Sequence, residues 1–202
     1  MTDKKKALLL VVSGPSGAGK SSLCSRLVEL FPEMIYSISC TTRAPRGTEK
    51  NGIHYYFLSE EEFNARIATG AFLEHALVHG NHYGTLKQTV FDALIQGKDV
   101  VMDIDVQGAK QIRSACAAMQ DDNVIKRGFV DIFIAPPSME VLRQRLCGRS
   151  TDSEKVIEQR MRNAQEEMKY QPYYQYTVIN DNFDRALTEL TEIIVGEHNK
   201  RR

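Results

Sequence analysis

The sequence predicts an α/β fold in which a parallel sheet carries helices on both faces. Short runs of consecutive Val, Ile and Leu occupy residues 7–12, 100–104, 129–135 and 176–180, a pattern typical of strands that are buried on both sides. Segments with helical spacing of apolar residues alternate with these runs. Because such alternation produces a sheet covered by helices, we expect a doubly wound architecture.

The predicted helices follow the strands in order. Helical spacing begins near Leu23, begins again at Val90 and stops at Gly97. A third helix is predicted after Ser138, whose side chain is a candidate N-cap, and a last amphipathic segment surrounds Leu190. Each has apolar residues three or four positions apart, so each is expected to bury one face against the sheet.

Two stretches interrupt this alternation. Residues 35–84 contain three strand-like pieces and a helix start after Ser59, the composition of a small inserted α+β lobe. The strand-like pieces are Ile35–Cys40, His54–Leu58 and Phe72–Val78. Residues 150–170 are charged and helical, and a Thr-x-x-Glu capping box from Thr151 to Glu154 opens them. We expect a mobile flap there. The predicted organisation is one domain over 1–202, with a core of 1–36, 86–149 and 171–202, a lobe of 37–85 and a lid of 150–170.

Composition excludes several classes of protein. The chain has 202 residues, and 26 Lys and Arg balance 26 Asp and Glu, so no overall field favours nucleic acid or a membrane as partner. No stretch reaches the ~18 apolar residues of a membrane span, and the apolar run at 7–12 is shorter than the ~7 to 15 residues of a secretory h-region. Four widely spaced cysteines without a C-x-x-C pair predict reduced thiols and a cytoplasmic location.

The segment from Gly14 to Ser21 matches the pattern G-x-x-x-x-G-K-[ST] directly between a predicted strand and a predicted helix. In this context the main-chain N–H groups and the helix N-terminus bind phosphates, Lys20 reaches the β and γ phosphates, and the Ser21 hydroxyl ligates Mg²⁺. The fold prediction is therefore a P-loop NTPase-type sheet. The predicted ATP-binding residues here are Gly14, Pro15, Ser16, Gly17, Ala18, Gly19, Lys20, Ser21 and Ser22.

The strand at 100–104 ends in two acids, Asp103 and Asp105. Ligands of open α/β sheets bind at the carboxyl ends of the strands, so this strand end should lie beside the phosphate loop. It predicts a carboxylate site, with Asp103 as a second candidate ligand for Mg²⁺.

A second anion site is predicted in the inserted lobe. Arg43 and Arg46 lie three residues apart in one loop, and arginine forks bind phosphate oxygens in pairs. Tyr55 and Tyr83 can add hydroxyl donors, and Glu74 is a lone acid among aromatic residues. This combination predicts a pocket for a nucleoside monophosphate.

Taken together, these segments resemble the bacterial guanylate kinase family. The similarity extends over nearly the whole chain, through GPSGAGKSS at 14–22, SISCTTRAPRGTEKNGIHYYF at 37–57, FLEHA at 72–76, GNHYGT at 80–85, DIDVQG at 103–108, RLCGRSTDSE at 145–154 and VIND at 178–181. The resemblance implies Mg-dependent transfer of the γ phosphoryl group of ATP to GMP, within purine nucleotide metabolism. It implies ATP and GMP as small-molecule partners and leaves the oligomeric state open, a homo-oligomer included.

The resemblance also implies roles for individual residues. The family's ligands of the GMP phosphate fall by position on Arg43, Arg46, Tyr55 and Tyr83. Its guanine-reading residues fall on Ser39, Glu74, Thr85 and Asp103. Its contacts to ATP outside the loop fall on Arg145, Arg149, Arg160 and Asn180. The catalytic residues implied are Lys20, Arg43, Arg149 and Arg160.

Two other functions remain open at this point. Guanylate-kinase-like interaction modules share the fold but have a degraded phosphate loop, whereas this loop is intact. A P-loop kinase for another small phosphorylated acceptor would keep the loop and change the lobe. Formation of ADP from Mg-ATP with a panel of nucleoside monophosphates separates these alternatives.

Overall fold

A computed structural model of the protein describes residues 6–78, 80–148 and 154–201. Within these ranges the strands are β1 (Leu9–Ser13), β2 (Met34–Tyr36), β3 (Cys40–Thr41), β4 (Tyr56–Phe57), β5 (Phe72–Val78), β6 (Asn81–Leu86), β7 (Asp99–Asp103), β8 (Phe129–Ala135) and β9 (Tyr176–Ile179). The α-helices are α1 (Lys20–Leu30), α2 (Glu60–Ala68), α3 (Lys87–Ile95), α4 (Val106–Ala118), α5 (Val124–Gly128), α6 (Met139–Cys147), α7 (Glu154–Met168) and α8 (Phe183–Lys200).

The central sheet confirms the predicted α/β fold. Its five strands are parallel and lie in the order β2-β7-β1-β8-β9. Side chains of β1 alternate between two cores: Leu10 and Val12 pack with α1 and α8, whereas Leu9 and Val11 pack with α3 and α4. Because both faces are covered, every residue of β1 is buried. This explains the uninterrupted apolar run in the sequence.

The sheet contains the four predicted strands and one more. The edge strand β2 pairs with β7. It overlaps the start of the strand-like piece predicted from Ile35 to Cys40, which the sequence pattern did not assign to the central sheet. The predicted N-cap is confirmed, since the Ser138 hydroxyl accepts a hydrogen bond from the Val141 N–H at 3.3 Å. None of the helices in the described part of the chain is long and apolar enough to cross a membrane.

Helix α4 follows β7 directly and was absent from the predicted helices. Its buried positions are Val106, Gly108, Ala109, Ile112 and Cys116. The spacing is helical, but glycine, alanine and cysteine give a weak hydrophobic pattern. The local hydrophobic pattern therefore does not predict this helix, and packing of α4 against the sheet stabilises it.

The second sheet has four strands in the order β4-β3-β6-β5. Helix α2 packs on it, and Phe63 of α2 stacks on Phe72 of β5 with 4.5 Å between the ring centroids. The helix begins at a capping box in which Ser59 and Glu62 exchange side-chain and main-chain hydrogen bonds. These elements lie between residues 40 and 86, and the exact lobe boundaries remain a prediction.

Helix α7 provides the described part of the predicted lid. Its apolar residues Ile157 and Ala164 pack against Leu142 and Leu146 of α6. The capping box that begins at Thr151 lies outside the described residues. The α6–α7 contact holds the helix beside the carboxyl ends of the central strands.

Candidate active site

The phosphate loop connects β1 to α1 in a backbone conformation that requires glycine. Gly14 has φ +138°, and a Cβ atom there would lie 2.2 Å from the Ile134 carbonyl oxygen. Gly19 has φ +94°, and its Cβ would lie 2.3 Å from the Asn180 amide nitrogen. Since neither the dihedral angles nor the space admits a side chain, both glycines of the motif are structural requirements for the loop.

The Lys20 side chain folds back over the phosphate loop that precedes it. Its ammonium group donates hydrogen bonds to the carbonyl oxygens of Gly14 at 2.7 Å and Pro15 at 3.2 Å. The Ala18 N–H also donates to the Pro15 carbonyl at 3.0 Å. The positive charge is therefore fixed at the concave side of the loop, where phosphate oxygens bind in proteins with this motif.

Asn180, the residue after β9, supports the loop. Its buried side-chain amide donates to the Ala18 carbonyl oxygen at 2.7 Å. The main-chain carbonyl oxygen of Asn180 accepts from the Arg145 guanidinium at 2.8 Å. The structure thus gives Asn180 a contact with the loop itself, and the adenine contact implied by resemblance remains a prediction.

Ser21 and Asp103 meet at the end of the central strands. The Ser21 hydroxyl donates to Asp103 Oδ2, and the Tyr36 hydroxyl lies 3.5 Å from the same oxygen. Within the described ranges no group of three or more His, Cys, Asp or Glu residues could hold a metal. Mg²⁺ bound with nucleotides commonly takes only one or two protein oxygens, with phosphate and water completing the shell. Ser21 and Asp103 fit that requirement.

The lobe holds Arg43 in a braced position. The buried guanidinium donates to Glu49 Oε1 at 2.9 Å and to the Ala44 carbonyl at 2.7 Å. It also lies over the Tyr55 ring, 5.2 Å from the centroid. The hydrogen bond to Glu49 raises the pKa of Arg43 above its ordinary value. Glu49 is not among the predicted site residues; its position as a lone acid three residues after Arg46 was its only signal in the sequence.

Glu49 also fixes the main chain at the second arginine, because Glu49 Oε2 accepts the Arg46 N–H at 2.7 Å. The Arg46 side chain is exposed. Tyr55 and Tyr83 lie edge to face with ring centroids 6.0 Å apart. Burial raises the pKa of Tyr55, so this hydroxyl is a neutral donor near pH 7. One basic patch of the lobe therefore combines two cations with two phenol groups.

Glu74 is the buried acid of the lobe. Its side chain is 4% exposed, and Thr85 donates its hydroxyl to Glu74 Oε1 at 2.7 Å. Burial raises the pKa of Glu74 to about 7, and the Asp105 charge acts in the same direction. Because the carboxyl group is desolvated and half satisfied, it is well placed to accept hydrogen bonds from a ligand that offers donors.

A cavity of about 320 Å³ joins the loop to the lobe. Of the predicted site residues, those that line it are Gly14, Ser16, Gly17, Gly19, Lys20, Ser21, Ser22, Ser39, Tyr55, Glu74, Tyr83 and Asp103. The predicted residues that lie outside its lining are Pro15, Ala18, Arg43, Arg46, Thr85, Arg145, Arg160 and Asn180. Arg149 lies outside the described residues.

Two further acids, Asp105 and Glu167, line the cavity. Asp105 belongs to the carboxylate site predicted at the end of the strand, without an assigned role, whereas Glu167 was not predicted. Asp105 caps α4 by accepting the Gly108 N–H at 2.8 Å, and burial raises its pKa. Glu167 reaches the cavity from α7. Burial raises the pKa of Glu167 to about 7, although the Lys20 charge and the Ser16 N–H lower it. Glu167 lies two helical turns after Arg160 on α7. This i, i+7 spacing could have indicated that Glu167 lies on the same face of the helix as the predicted site residue Arg160.

Comparison with known proteins agrees with this geometry. A family model described as "Guanylate kinase" matches residues 6–197. The guanylate kinase of Syntrophotalea carbinolica is 45% identical over 194 residues, covering 96% of this chain and 88% of that protein. That of Rickettsia felis is 46% identical and covers 99% of both. A crystal structure of guanylate kinase from Anaplasma phagocytophilum is 31% identical, with a TM-score of 0.77 over 96% of this chain and 88% of that one. The chain belongs to the guanylate kinase family.

Proposed function

We propose that this protein transfers the γ phosphoryl group of ATP to GMP, giving ADP and GDP, in the presence of Mg²⁺. The observation that carries this proposal is the cavity that joins the phosphate loop to the Glu74 pocket. Because the phosphate loop and the Glu74 carboxylate both line this cavity, it supports binding of a triphosphate and of a base in one space. Phosphoryl transfer depends mainly on such alignment of donor and acceptor.

The donor side consists of the loop from Gly14 to Ser22 and Lys20. Main-chain N–H groups of the loop and the N-terminus of α1 bind the phosphates of ATP. Lys20 exchanges its contacts with the Gly14 and Pro15 carbonyls for the β and γ phosphate oxygens. Its charge acts most strongly as negative charge develops during transfer.

The hydroxyl of Ser21 would hold Mg²⁺, with the Asp103 carboxylate beside it as a second oxygen ligand. When bound, the ion would neutralise charge on the phosphate oxygens of ATP. The hydrogen bond between these two side chains keeps their oxygens adjacent, and Asp103 is thereby oriented before a ligand arrives.

On the acceptor side, Arg43, Arg46, Tyr55 and Tyr83 bind the phosphate of GMP. Arg43 is stabilised by Glu49 and by the Tyr55 ring, so little side-chain entropy is lost when phosphate binds. No general base is required, because the second pKa of a phosphate monoester is ~6 and the attacking oxygen is largely ionised near neutral pH.

The base pocket contains Ser39, Glu74, Thr85 and Asp103. Guanine presents a ring N–H and an amino group side by side, and the Glu74 carboxylate accepts from both. The Ser39 and Thr85 hydroxyls complete the polar pocket around the base. Binding of these two donors favours the ionised form of Glu74 and thus offsets the effect of burial on its pKa.

Lid residues complete the active site. Arg160 on α7, together with Arg149, neutralises the transferring phosphoryl group, while Arg145 and Asn180 contact the rest of ATP. Closure of the lid excludes water, which would otherwise hydrolyse the activated phosphate. We also assign the enzyme to cytoplasmic purine nucleotide metabolism, a location consistent with four free cysteines.

The test measures ADP formation from Mg-ATP with GMP, AMP, CMP or UMP as acceptor. We expect rapid ADP formation with GMP and ~10⁴-fold lower kcat/KM with the other three, since a buried polar site rejects bases that leave it unpaired. Tight GMP binding without turnover would instead identify an interaction module. Preference for another acceptor would identify a different P-loop kinase.

A further inference from the structure

The Gln111 side chain connects helix α4 to strand β5 through two hydrogen bonds to the main chain, as a neighbouring strand would. The Gln111 amide donates to the His75 carbonyl oxygen at 2.7 Å, and the Gln111 carbonyl oxygen accepts the His75 N–H at 3.1 Å. These two bonds satisfy both polar main-chain groups of His75. Since His75 follows Glu74 directly, Gln111 fixes the backbone of the base pocket relative to the core.

Strand β5 is irregular at this point. Its pairing with β6 shifts register between Phe72 and Glu74, and three consecutive residues, Phe72, Leu73 and Glu74, are buried. A regular strand would alternate between buried and exposed positions. Phe72 packs in the lobe and Leu73 packs in the core beside α4. The bulge thus turns Glu74 toward the cavity, where no regular register would place it.

Gly108 provides the space that the Glu74 carboxylate occupies. A Cβ atom at Gly108 would lie 2.5 Å from Glu74 Oε2 and 3.1 Å from its carboxyl carbon. The glycine is the third residue of α4 and is not in the left-handed region. Alanine would therefore suit the helix better. Neither helix propensity nor the dihedral angles explain a glycine at this position. The need to leave room for the Glu74 carboxylate does explain it.

We propose that Gly108 and Gln111 of α4 are positioning residues that determine base specificity by fixing the carboxylate of Glu74. The proposal rests on the proposed function, in which Glu74 reads guanine. Thr85 fixes one carboxylate oxygen, the Gly108 main chain leaves room for the other, and Gln111 fixes the backbone of the next residue. The two oxygens are thereby held at a constant angle to the cavity.

A methyl group at Gly108 moves the carboxylate and leaves the fold intact. The atom it would meet is the end of a side chain, which rotates away more easily than main chain moves. A displaced carboxylate accepts poorly from two parallel donors, because hydrogen bonds weaken steeply with misalignment. The loss therefore falls on recognition of the base and leaves ATP binding unchanged.

The test compares Gly108→Ala with the wild-type enzyme in the presence of Mg-ATP and GMP or AMP. We expect kcat/KM for GMP to fall ~10-fold or more, the range expected for an impaired buried hydrogen bond, and the GMP-to-AMP ratio to fall with it. The KM for ATP should stay within about twofold, because Gly108 is outside the donor site. Gly196→Ala on α8, where nothing lies within 4 Å of the new Cβ, is the matched control and should match wild type.

Gln111→Ala provides a second variant that adds no bulk. We expect a fall of ~3-fold to 10-fold in the same ratio, corresponding to loss of exposed hydrogen bonds that orient a backbone. The control is Gln107→Ala, an exposed glutamine of the same helix, which should leave the ratio unchanged. If Gly108→Ala unfolds, Gln111→Ala alone decides the proposal.

Coupling to Glu74 distinguishes positioning from a general structural effect. In a Glu74→Ala background the carboxylate is absent, so Gly108→Ala should change the GMP dissociation constant by less than about twofold. An undiminished effect in that background, or an unchanged GMP-to-AMP ratio in both α4 variants, would overturn the inference. Absence of GMP turnover in the wild-type enzyme would instead refute the proposed function.

Discussion

The two sides of the cavity are built in different ways. The phosphate loop is a single segment in which Lys20 and Ala18 bond to main-chain carbonyls of the same loop. The other side collects side chains from separate elements, among them Ser39 before β3, Glu74 of β5 and Tyr83 of β6. One half depends on backbone shape, and the other depends on how several elements pack.

This difference separates catalysis from selectivity. Main-chain groups of the loop bind any triphosphate, because every nucleotide carries the same phosphates. In the proposed function, the base is recognised where side chains from different elements converge on it. Substitutions on the loop side should therefore affect turnover with every acceptor, whereas substitutions on the lobe side should affect the choice among acceptors.

The largest effect is expected on the loop side. Lys20→Ala should lower turnover by ~10³ or more, because the ammonium stabilises charge that develops during transfer. Steady-state ADP formation measures it, circular dichroism verifies the fold, and Lys87→Ala, an exposed lysine on α3, is the control. Turnover close to wild type would show that the loop does not bind the donor phosphates.

The next effect belongs to the lobe. Glu74→Gln keeps the shape of the side chain but replaces one acceptor with a donor that opposes a guanine donor. We expect kcat/KM for GMP to fall ~10-fold to 100-fold, consistent with ~1 to 3 kcal/mol for an unsatisfied buried group. ATP affinity should change little, and Glu61→Gln on the exposed side of α2 serves as control. Retention of the full GMP preference would assign base reading to Asp103 or Ser39.

Glu74 should also make the free energy of unfolding depend on pH. Burial raises the pKa of Glu74 from 4.5 to about 7, so between these values the unfolded chain releases a proton that the folded chain retains. Stability contributed by Glu74 is therefore greatest below pH 4.5, falls as pH rises and levels off above 7. We expect the wild type to lose about 1 to 2 kcal/mol more than Glu74→Gln between pH 5 and pH 8. Urea unfolding at both values measures the difference, and parallel curves for the two proteins would contradict it.

The smallest effect concerns Glu167, the lid acid that faces the loop. Its carboxylate opposes the negative charge of a bound triphosphate, so Glu167→Gln should lower the KM for ATP by ~2-fold to 5-fold at pH 8, a typical size for a screened like-charge contact. Because the pKa of Glu167 is about 7, the difference should vanish by pH 5.5. Glu166→Gln, which alters an exposed acid paired with Lys169, is the control. An increase in KM would indicate that Glu167 assists binding.

Sequence predicted the loop side far better than the lobe side. The motif contains Gly14, Lys20 and Ser21 within eight positions, and the flanking strand and helix have strong patterns. Glu49 was not predicted because a single acid in a loop forms no pattern, although its partners Arg43 and Arg46 lie only six and three residues away. Glu167 was not predicted because it reaches the cavity only through the packing of α7. Helix α4 was not predicted because small residues form its buried face, so Glu167 and α4 both depend on tertiary packing.

The reactivity of the four cysteines is a measure of how tightly each region of the protein is packed. Cys24 lies on the core-facing side of α1, Cys40 in the small sheet and Cys116 on α4, and all three are buried, whereas Cys147 at the end of α6 is exposed. Burial raises the pKa of Cys40 and of Cys116 to about 11 and raises the pKa of Cys24 well above its ordinary value. Since alkylating reagents attack the solvated thiolate, each buried thiol reacts only during local opening. The labelling rate at each site thus reports the opening free energy of core, lobe or α4 separately, in the native sequence.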